Sequence, residues 1–283
     1  MAQDLTIFLV EIMSHFVSYK GFHWEYESYG SGTEILFAFH GFGNHCSDFK
    51  ILEPSLGKKY KIISFNLPYH GNSSIDESVF NKSISKNELK ELMFQFLLRH
   101  HVTRFSLMGY SLGGKIALQV IELFPDQVNT IFLFAPDGIR NNWSNGFVTR
   151  NNIGKKIYQR IIHDPSRFLR FVKVLKSMNL VHEKFSDFIH NSLDTRAKRQ
   201  QVWDVWMCFR DIKPNIHKIQ NLVNEFNIST HLFFGKHDHV IPPSIGKGFI
   251  KRLKNKNGLH IIEMGHIMLR EKMNEYISKV VEE

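Results

Sequence analysis

The chain has 283 residues, 43% of them hydrophobic, and carries 36 Lys and Arg against 27 Asp and Glu, a formal net charge of +9. This length fits one large domain, or a core with one insertion, and no apolar run reaches the length that crosses a bilayer, so a helical membrane span is not expected. The excess charge is confined: residues 138–213 hold 15 basic and 6 acidic residues and the remainder holds 21 of each; no known nucleic-acid-binding module is visible, so no nucleic-acid partner is expected.

Residues 1–13 read as a dispensable extension, with Met13 an alternative start, and they lack a signal-peptide pattern. Two cysteines far apart, Cys46 and Cys208, fit a reducing compartment, and a cytoplasmic location is expected. His15–Tyr19 and Phe22–Glu27, joined at Lys20-Gly21, predict an edge hairpin. Glu34–Phe39 predicts a strand buried on both faces, leading into His40-Gly41-Phe42-Gly43. A short helix over Asp48–Leu56 and a strand over Tyr60–Phe65 follow, then a Pro/Gly/Asn loop over residues 66–73. Glu88–His101 carries an apolar stripe at helical spacing.

The next segment organises the chain. Arg104–Met108 is of strand type and Gly114–Ile121 of helix type, with Gly109-Tyr110-Ser111-Leu112-Gly113 between them. A serine on so tight a strand-to-helix turn needs small residues two positions either side, and Gly109 and Gly113 supply them. The arrangement is a nucleophile elbow. It would raise the Ser111 hydroxyl above the sheet, with the Leu112 amide aimed at whatever the serine attacks. Phe42 N–H, from the glycine-rich loop, is the expected second donor.

A strand over Thr130–Phe134 ends at Ala135-Pro136-Asp137-Gly138. About 75 residues of helical pattern interrupt the alternation, over Ile153–Ile162, Ser166–Met178, His182–Asn191 and Thr195–Asp211, with Lys and Arg between the apolar positions. This insertion is expected to form a lid above the strand ends. The alternation resumes with a helix over Asn215–Phe226, a strand over Thr230–Gly235 placing Asp238 just past its end, a helix over Ser244–Leu253 and a strand over Leu259–Ile262. Glu263-Met264-Gly265-His266 and a helix over Leu269–Val281 complete the pattern.

Serine, acid and histidine thus occur in the order that an elbow requires. His266 is the candidate base, Asp238 its orienting carboxylate, and Asp137, after the preceding strand, the alternative acid. Tyr110, Lys115, His70 and Trp143 are candidate substrate contacts. His237 and His239 flank Asp238, but no further ligand follows at a recognisable spacing, so no metal is expected.

These motifs resemble the α/β-hydrolase family from about Phe16 onward, on His40-Gly41-Phe42-Gly43, Asn66-Leu67-Pro68-Tyr69-His70-Gly71, the elbow, Gly235-Lys236-His237-Asp238 and Gly265-His266. Asn66 and Tyr69 depart from the Asp and Gly common in relatives. The resemblance implies a mostly parallel eight-stranded sheet flanked by helices, with a helical lid inserted after strand 6. Residues 1–136 and 214–283 would form the core and 137–213 the cap. It implies a serine hydrolase that needs no cofactor and cleaves an ester or thioester of a small acyl substrate. The basic lid suggests an anionic one: a carboxylate, a coenzyme A thioester or a carrier protein. Two other enzymatic readings use the same triad. The elbow through Lys115 and Ala135–Ile139 resemble the menaquinone-pathway synthase that eliminates pyruvate, with Lys115 where relatives usually carry Arg, and carbon-carbon bond hydrolases are further cousins. A ligand receptor or pseudoenzyme is the reading of another class. A monomer or homodimer is expected.

Overall fold

The computed structural model describes residues 16–80, 82–140, 143–256 and 258–281, without the side chains of residues 143, 144 and 188. The expected extension over residues 1–13 and the first hairpin residue, His15, lie outside the described residues. Strands β1 (Phe16–Tyr19) and β2 (Phe22–Tyr29) turn at Lys20 and Gly21, both at positive φ. Strand β3 (Glu34–Phe39) precedes a 3-10 helix (Cys46–Leu52) that runs into α1 (Glu53–Leu56). Then come β4 (Tyr60–Phe65), the two-residue β5 (Ser74–Ile75), α2 (Lys86–Arg99), β6 (Phe105–Tyr110), α3 (Leu112–Leu123) and β7 (Val128–Phe134). Five helices follow before the sheet resumes: α4 (Trp143–Arg150), α5 (Asn152–His163), α6 (Ser166–Ser177), α7 (Glu183–Ser192) and α8 (Arg196–Cys208). The chain continues through α9 (Ile216–Glu225), β8 (Ser229–Gly235), α10 (Ser244–Ile250), β9 (Leu259–Ile262) and α11 (Met273–Val281).

The sheet runs β1-β2-β4-β3-β6-β7-β8-β9, eight strands in one path, with β5 paired to β2 at the side. It is parallel from β4 to β9, and β2 is antiparallel to its neighbours β1, β4 and β5. The continuous apolar runs follow from burial on both faces. Phe37 and Phe39 point into one core with α2, α3, α9 and α10, while Leu36 and Ala38 point into a second with α1 and α11. Aromatic edges fill the first core: Phe37 meets Phe96 with ring centroids 5.3 Å apart and Phe105 at 4.9 Å.

The departures from expectation are local. The stretch 48–56 is split because Pro54, in the first turn of α1, has no amide to continue the preceding turn. The last helix begins at Met273 rather than Leu269. Helix α4 was not expected, since Gly146, Val148 and Thr149 are weak helix formers. Strand β5 is too short to leave a pattern. Cys46 and Cys208 are both buried free thiols.

The loop between β2 and β3 passes directly over the backbone of Lys59, and a Cβ on Gly32 would overlap the Lys59 carbonyl. Gly248, inside α10, has open space in that direction. Gly32→Ala is therefore expected to destabilise the fold by more than about 2 kcal/mol, while Gly248→Ala stabilises it by about 0.5–1 kcal/mol; urea unfolding of the two variants beside the parent measures both.

Candidate active site

Ser111 joins β6 to α3 with φ 49° and ψ −113°, a region that costs a non-glycine residue of order 1–3 kcal/mol. Surrounding backbone holds it there: the Ser111 amide donates to Phe134 O at 2.9 Å, and its carbonyl accepts from Asp137 N at 2.8 Å and Gly114 N at 2.9 Å. Small residues make the crossing feasible. A Cβ on Gly109 would sit 2.7 Å from Gly113 O, and one on Gly113 would overlap the Phe39 carbonyl. Gly114 packs as closely on Pro136.

The His266 ring, on the loop after β9, brings Nε2 to 3.2 Å from Ser111 Oγ. Its Nδ1 lies 2.8 Å from Asp238 Oδ2. The carboxylate can only accept in that contact, so Nδ1 carries the hydrogen and Nε2 faces the serine hydroxyl as an acceptor. Asp238 lies past the end of β8 with its side chain fully buried, and its Oδ1 accepts from the Val240 and Ile241 amides, both at 2.8 Å. The alternative acid, Asp137, instead accepts from Gly138 N through Oδ1 at 2.8 Å.

Phe42 lies on the loop after β3, which passes close to the elbow: a Cβ on Gly41 would be 2.9 Å from the Tyr110 ring. Among the described residues, neither the Phe42 amide nor the Leu112 amide has a protein acceptor. Two buried histidines hold this loop. His40 donates from Nδ1 to Gly41 O at 2.7 Å and accepts at Nε2 from Leu67 N at 3.0 Å. His70 donates from Nδ1 to Pro68 O at 3.1 Å and accepts at Nε2 from Gly43 N at 3.0 Å. A ring that donates on one side and accepts on the other must be neutral. Burial accordingly holds the His70 pKa below its ordinary range, and burial together with the neighbouring His70 pushes that of His40 down to about 3.

The expected substrate contacts have other partners. Tyr110 is buried and donates its hydroxyl to the His266 carbonyl at 3.0 Å. Lys115, one turn into α3, donates to Phe209 O at 3.1 Å, tying the end of the insert to the elbow helix. His70 braces the loop through both ring nitrogens. The side chain of Trp143 lies outside the described ones. The bracing by His40 is legible in its place at the head of the glycine-rich loop, whereas that by His70 leaves only a hint, its position three residues after Leu67 in a Pro-containing loop. The ring stack of His182 on His239, 3.5 Å between centroids, joins the insert to the residue after Asp238 and left no trace.

The insert has its own apolar cluster of Tyr158, Ile162, Leu193, Val202, Trp203 and Met207, and Phe42 packs against it. Further bonds fasten it to the core, from Gln201 Nε2 to Tyr69 O at 2.8 Å and from Ile84 N to Cys208 O at 2.9 Å. Among the described residues, one group of side chains has the make-up of a metal site: Glu27, His45 and Cys46 have ligand atoms within 4.8 Å of one another. Its chemistry does not suit a cation. Lys50 Nζ already sits 2.9 Å from Glu27, and burial and the Glu27 charge push the Cys46 thiol far up, so it stays protonated.

Residues 34–272 match the family model for the alpha/beta hydrolase fold. The chain belongs to the α/β-hydrolase fold family. It is 24% identical over 272 residues to the uncharacterized hydrolase YugF of Bacillus subtilis, covering 90% of this chain and 93% of that one. It is also 31% identical over 155 residues to the dihydrolipoyllysine-residue acetyltransferase component of the acetoin cleaving system of Pseudomonas putida; that match covers 51% of this chain and spans only 40% of the relative's length. Among solved structures, a thermophilic esterase from Thermogutta terrifontis superposes with a TM-score of 0.65 at 14% identity, over 95% of both chains. This α/β-hydrolase thus shares the architecture of that esterase with little of its sequence.

The neutral histidines set an acid limit on the fold. An unfolded histidine titrates near pH 6.5, as the ordinary value for this side chain requires, while folded His40 does so at about 3. Between those values the unfolded chain binds the extra proton, so stability must fall as pH falls. Thermal melts are expected to hold level above pH 7 and to drop progressively between pH 6.5 and 4, the range set by ordinary histidine titration and the depressed His40 value.

Proposed function

We propose that the protein is a serine hydrolase that cleaves a small carboxylic ester or thioester through an acyl-enzyme. The observation that carries this reading is the unbroken line from Asp238 Oδ2 to His266 Nδ1 at 2.8 Å and from His266 Nε2 to Ser111 Oγ at 3.2 Å. His266 takes the Ser111 proton as the hydroxyl attacks the acyl carbon, and Asp238 stabilises the imidazolium that forms. The free amides of Phe42 and Leu112 receive the developing oxyanion, each such donor being worth about 3 kcal/mol. His266 then protonates the leaving alcohol or thiol, and water, activated by the same ring, releases the acid.

The substrate reading follows from what borders the nucleophile. Phe42 joins the aromatic cluster of the insert, which suits an uncharged acyl group beneath a cap formed by residues 137–213 over a core of residues 1–136 and 214–283. The basic side chains Lys156, Arg160, Arg167, Arg170, Lys173 and Lys176 line two clefts bordered by insert residues alone. An anionic coenzyme A or carrier-protein substrate is correspondingly less favoured. The pyruvate-eliminating reading weakens too, because the Lys115 amine is engaged by the Phe209 carbonyl. We place the reaction in the cytoplasm, where the buried thiols of Cys46 and Cys208 stay reduced.

A fluorophosphonate probe should label the parent and leave Ser111→Ala unlabelled. On p-nitrophenyl acetate and butyrate, Ser111→Ala should lower kcat/KM by about 10⁴-fold or more and Asp238→Asn by about 10³–10⁴-fold, while Asp137→Asn keeps nearly parental turnover. A folded parent that neither labels nor hydrolyses these esters would instead support the binding-protein reading.

A further inference from the structure

We propose that the exposed apolar and basic side chains of α5 and α6 dock on the surface of an anionic lipid bilayer. Two exposed apolar stripes carry the inference. On α6, Phe171, Val174 and Met178 recur at the spacing of one helix face and are 58%, 49% and 62% exposed, and Leu180 just beyond is 66% exposed. On α5, Ile153 and Ile157 lie one turn apart and are 64% and 45% exposed. The opposite faces of the same helices are the ones that pack, through Val172 on α6 and through Tyr158 and Ile162 on α5.

Each stripe ends at a cation, and the two cations line one cleft. Arg160 continues the Ile153–Ile157 line and Arg167 precedes the Phe171–Met178 line at helical spacing. Both line one cleft, together with Lys156, His163 and Asp164. Three acids of the insert are paired away from this cleft, Asp211 with Arg150, Glu183 with Lys176 and Asp194 with Lys198, Asp204 accepts from Gln200, and Asp187 lines a neighbouring cleft with Arg170, Lys173 and Lys176. Asp164, inside the cleft, accepts from the Ser166 amide at 3.0 Å.

The pairing of charge with exposed apolar surface selects the occupant. A soluble anion or a nucleic acid would be met by the cations alone and would leave large apolar side chains in water. A bilayer of anionic lipid takes both: phosphate head groups neutralise Lys156, Arg160 and Arg167 while the flanking Phe, Met and Ile side chains enter the acyl boundary. The positive charge is complementary to that surface, since the whole excess of +9 lies in residues 138–213. Such a contact lies on the surface without crossing it, and no described helix is long and apolar enough to span a membrane.

The test is flotation of the full chain with vesicles, using Ser111→Ala protein so that hydrolysis plays no part. Vesicles of phosphatidylcholine with phosphatidylglycerol should carry the protein, and phosphatidylcholine alone should not. Binding should fall about tenfold or more in Arg160→Glu/Arg167→Glu and likewise in Phe171→Ser/Met178→Ser, with thermal melts of both variants matching the parent. Absence of binding to the mixed vesicles would overturn the proposal. So would binding that both variants retain. Loss with the charge reversal alone, the apolar variant binding normally, would also overturn it and point to a soluble anion, as would preference for duplex DNA over the vesicles.

Discussion

Where β6 gives way to α3, three chain segments come closer together than side chains permit. The elbow puts Ser111 at positive φ, Gly113 against the Phe39 carbonyl and Gly114 against Pro136. Hydrogen bonds to the Phe134 carbonyl on one side and from the Asp137 amide on the other keep the turn from relaxing. The strain is local, of order 1–3 kcal/mol, and is offset by burial in two cores that extend over both faces of the sheet. What the crossing provides is position: a hydroxyl raised above the strand ends beside the first amide of a helix, in line with the general rule that open α/β sheets place ligands there.

The groups around the hydroxyl are held mostly by backbone. Two amides orient Asp238, Tyr110 holds the carbonyl of His266, and His40 and His70 pin the loop that carries Phe42. Both bracing histidines depend on staying neutral, because each must accept an amide hydrogen on one nitrogen while donating from the other. Rigidity at the site therefore carries a cost at acid pH. The insert is attached through the same region, by Lys115 on Phe209 and Gln201 on Tyr69, so movements of the helices would be felt at the base of the elbow.

Much of this was legible in the residues themselves. Strands such as Glu34–Phe39 and Tyr60–Phe65 are continuous apolar runs because both faces are covered, and their bounds follow from composition alone. The elbow glycines, the glycine-rich loop and the order serine, acid, histidine give the fold family, which the match over residues 34–272 bears out. Asp137 and Asp238 both follow strand ends, and the residues around Asp238 favour it over Asp137; His266 Nδ1 lies against Asp238 in the folded chain. The roles of Tyr110, Lys115 and His70 were less visible. Each bonds to a backbone group distant in sequence, 156 residues away for Tyr110, and side-chain type says nothing about such a partner. Helix α4 was hidden by its glycine and β-branched residues, which only tertiary packing makes helical. Charge gave the position of the insert but not the facing of its cations, which depends on how its helices pack.

The central claim is that Ser111, His266 and the Phe42 and Leu112 amides act on one acyl carbon. A crystal structure of the protein after reaction with a fluorophosphonate tests it most directly, because the phosphonyl group imitates the tetrahedral intermediate. The account predicts phosphorus bonded to Ser111 Oγ, with its oxygen about 3 Å from both the Phe42 and Leu112 amides and His266 beside the ester oxygen. A phosphonyl oxygen turned away from both amides, or phosphorus bonded to another residue, would contradict it.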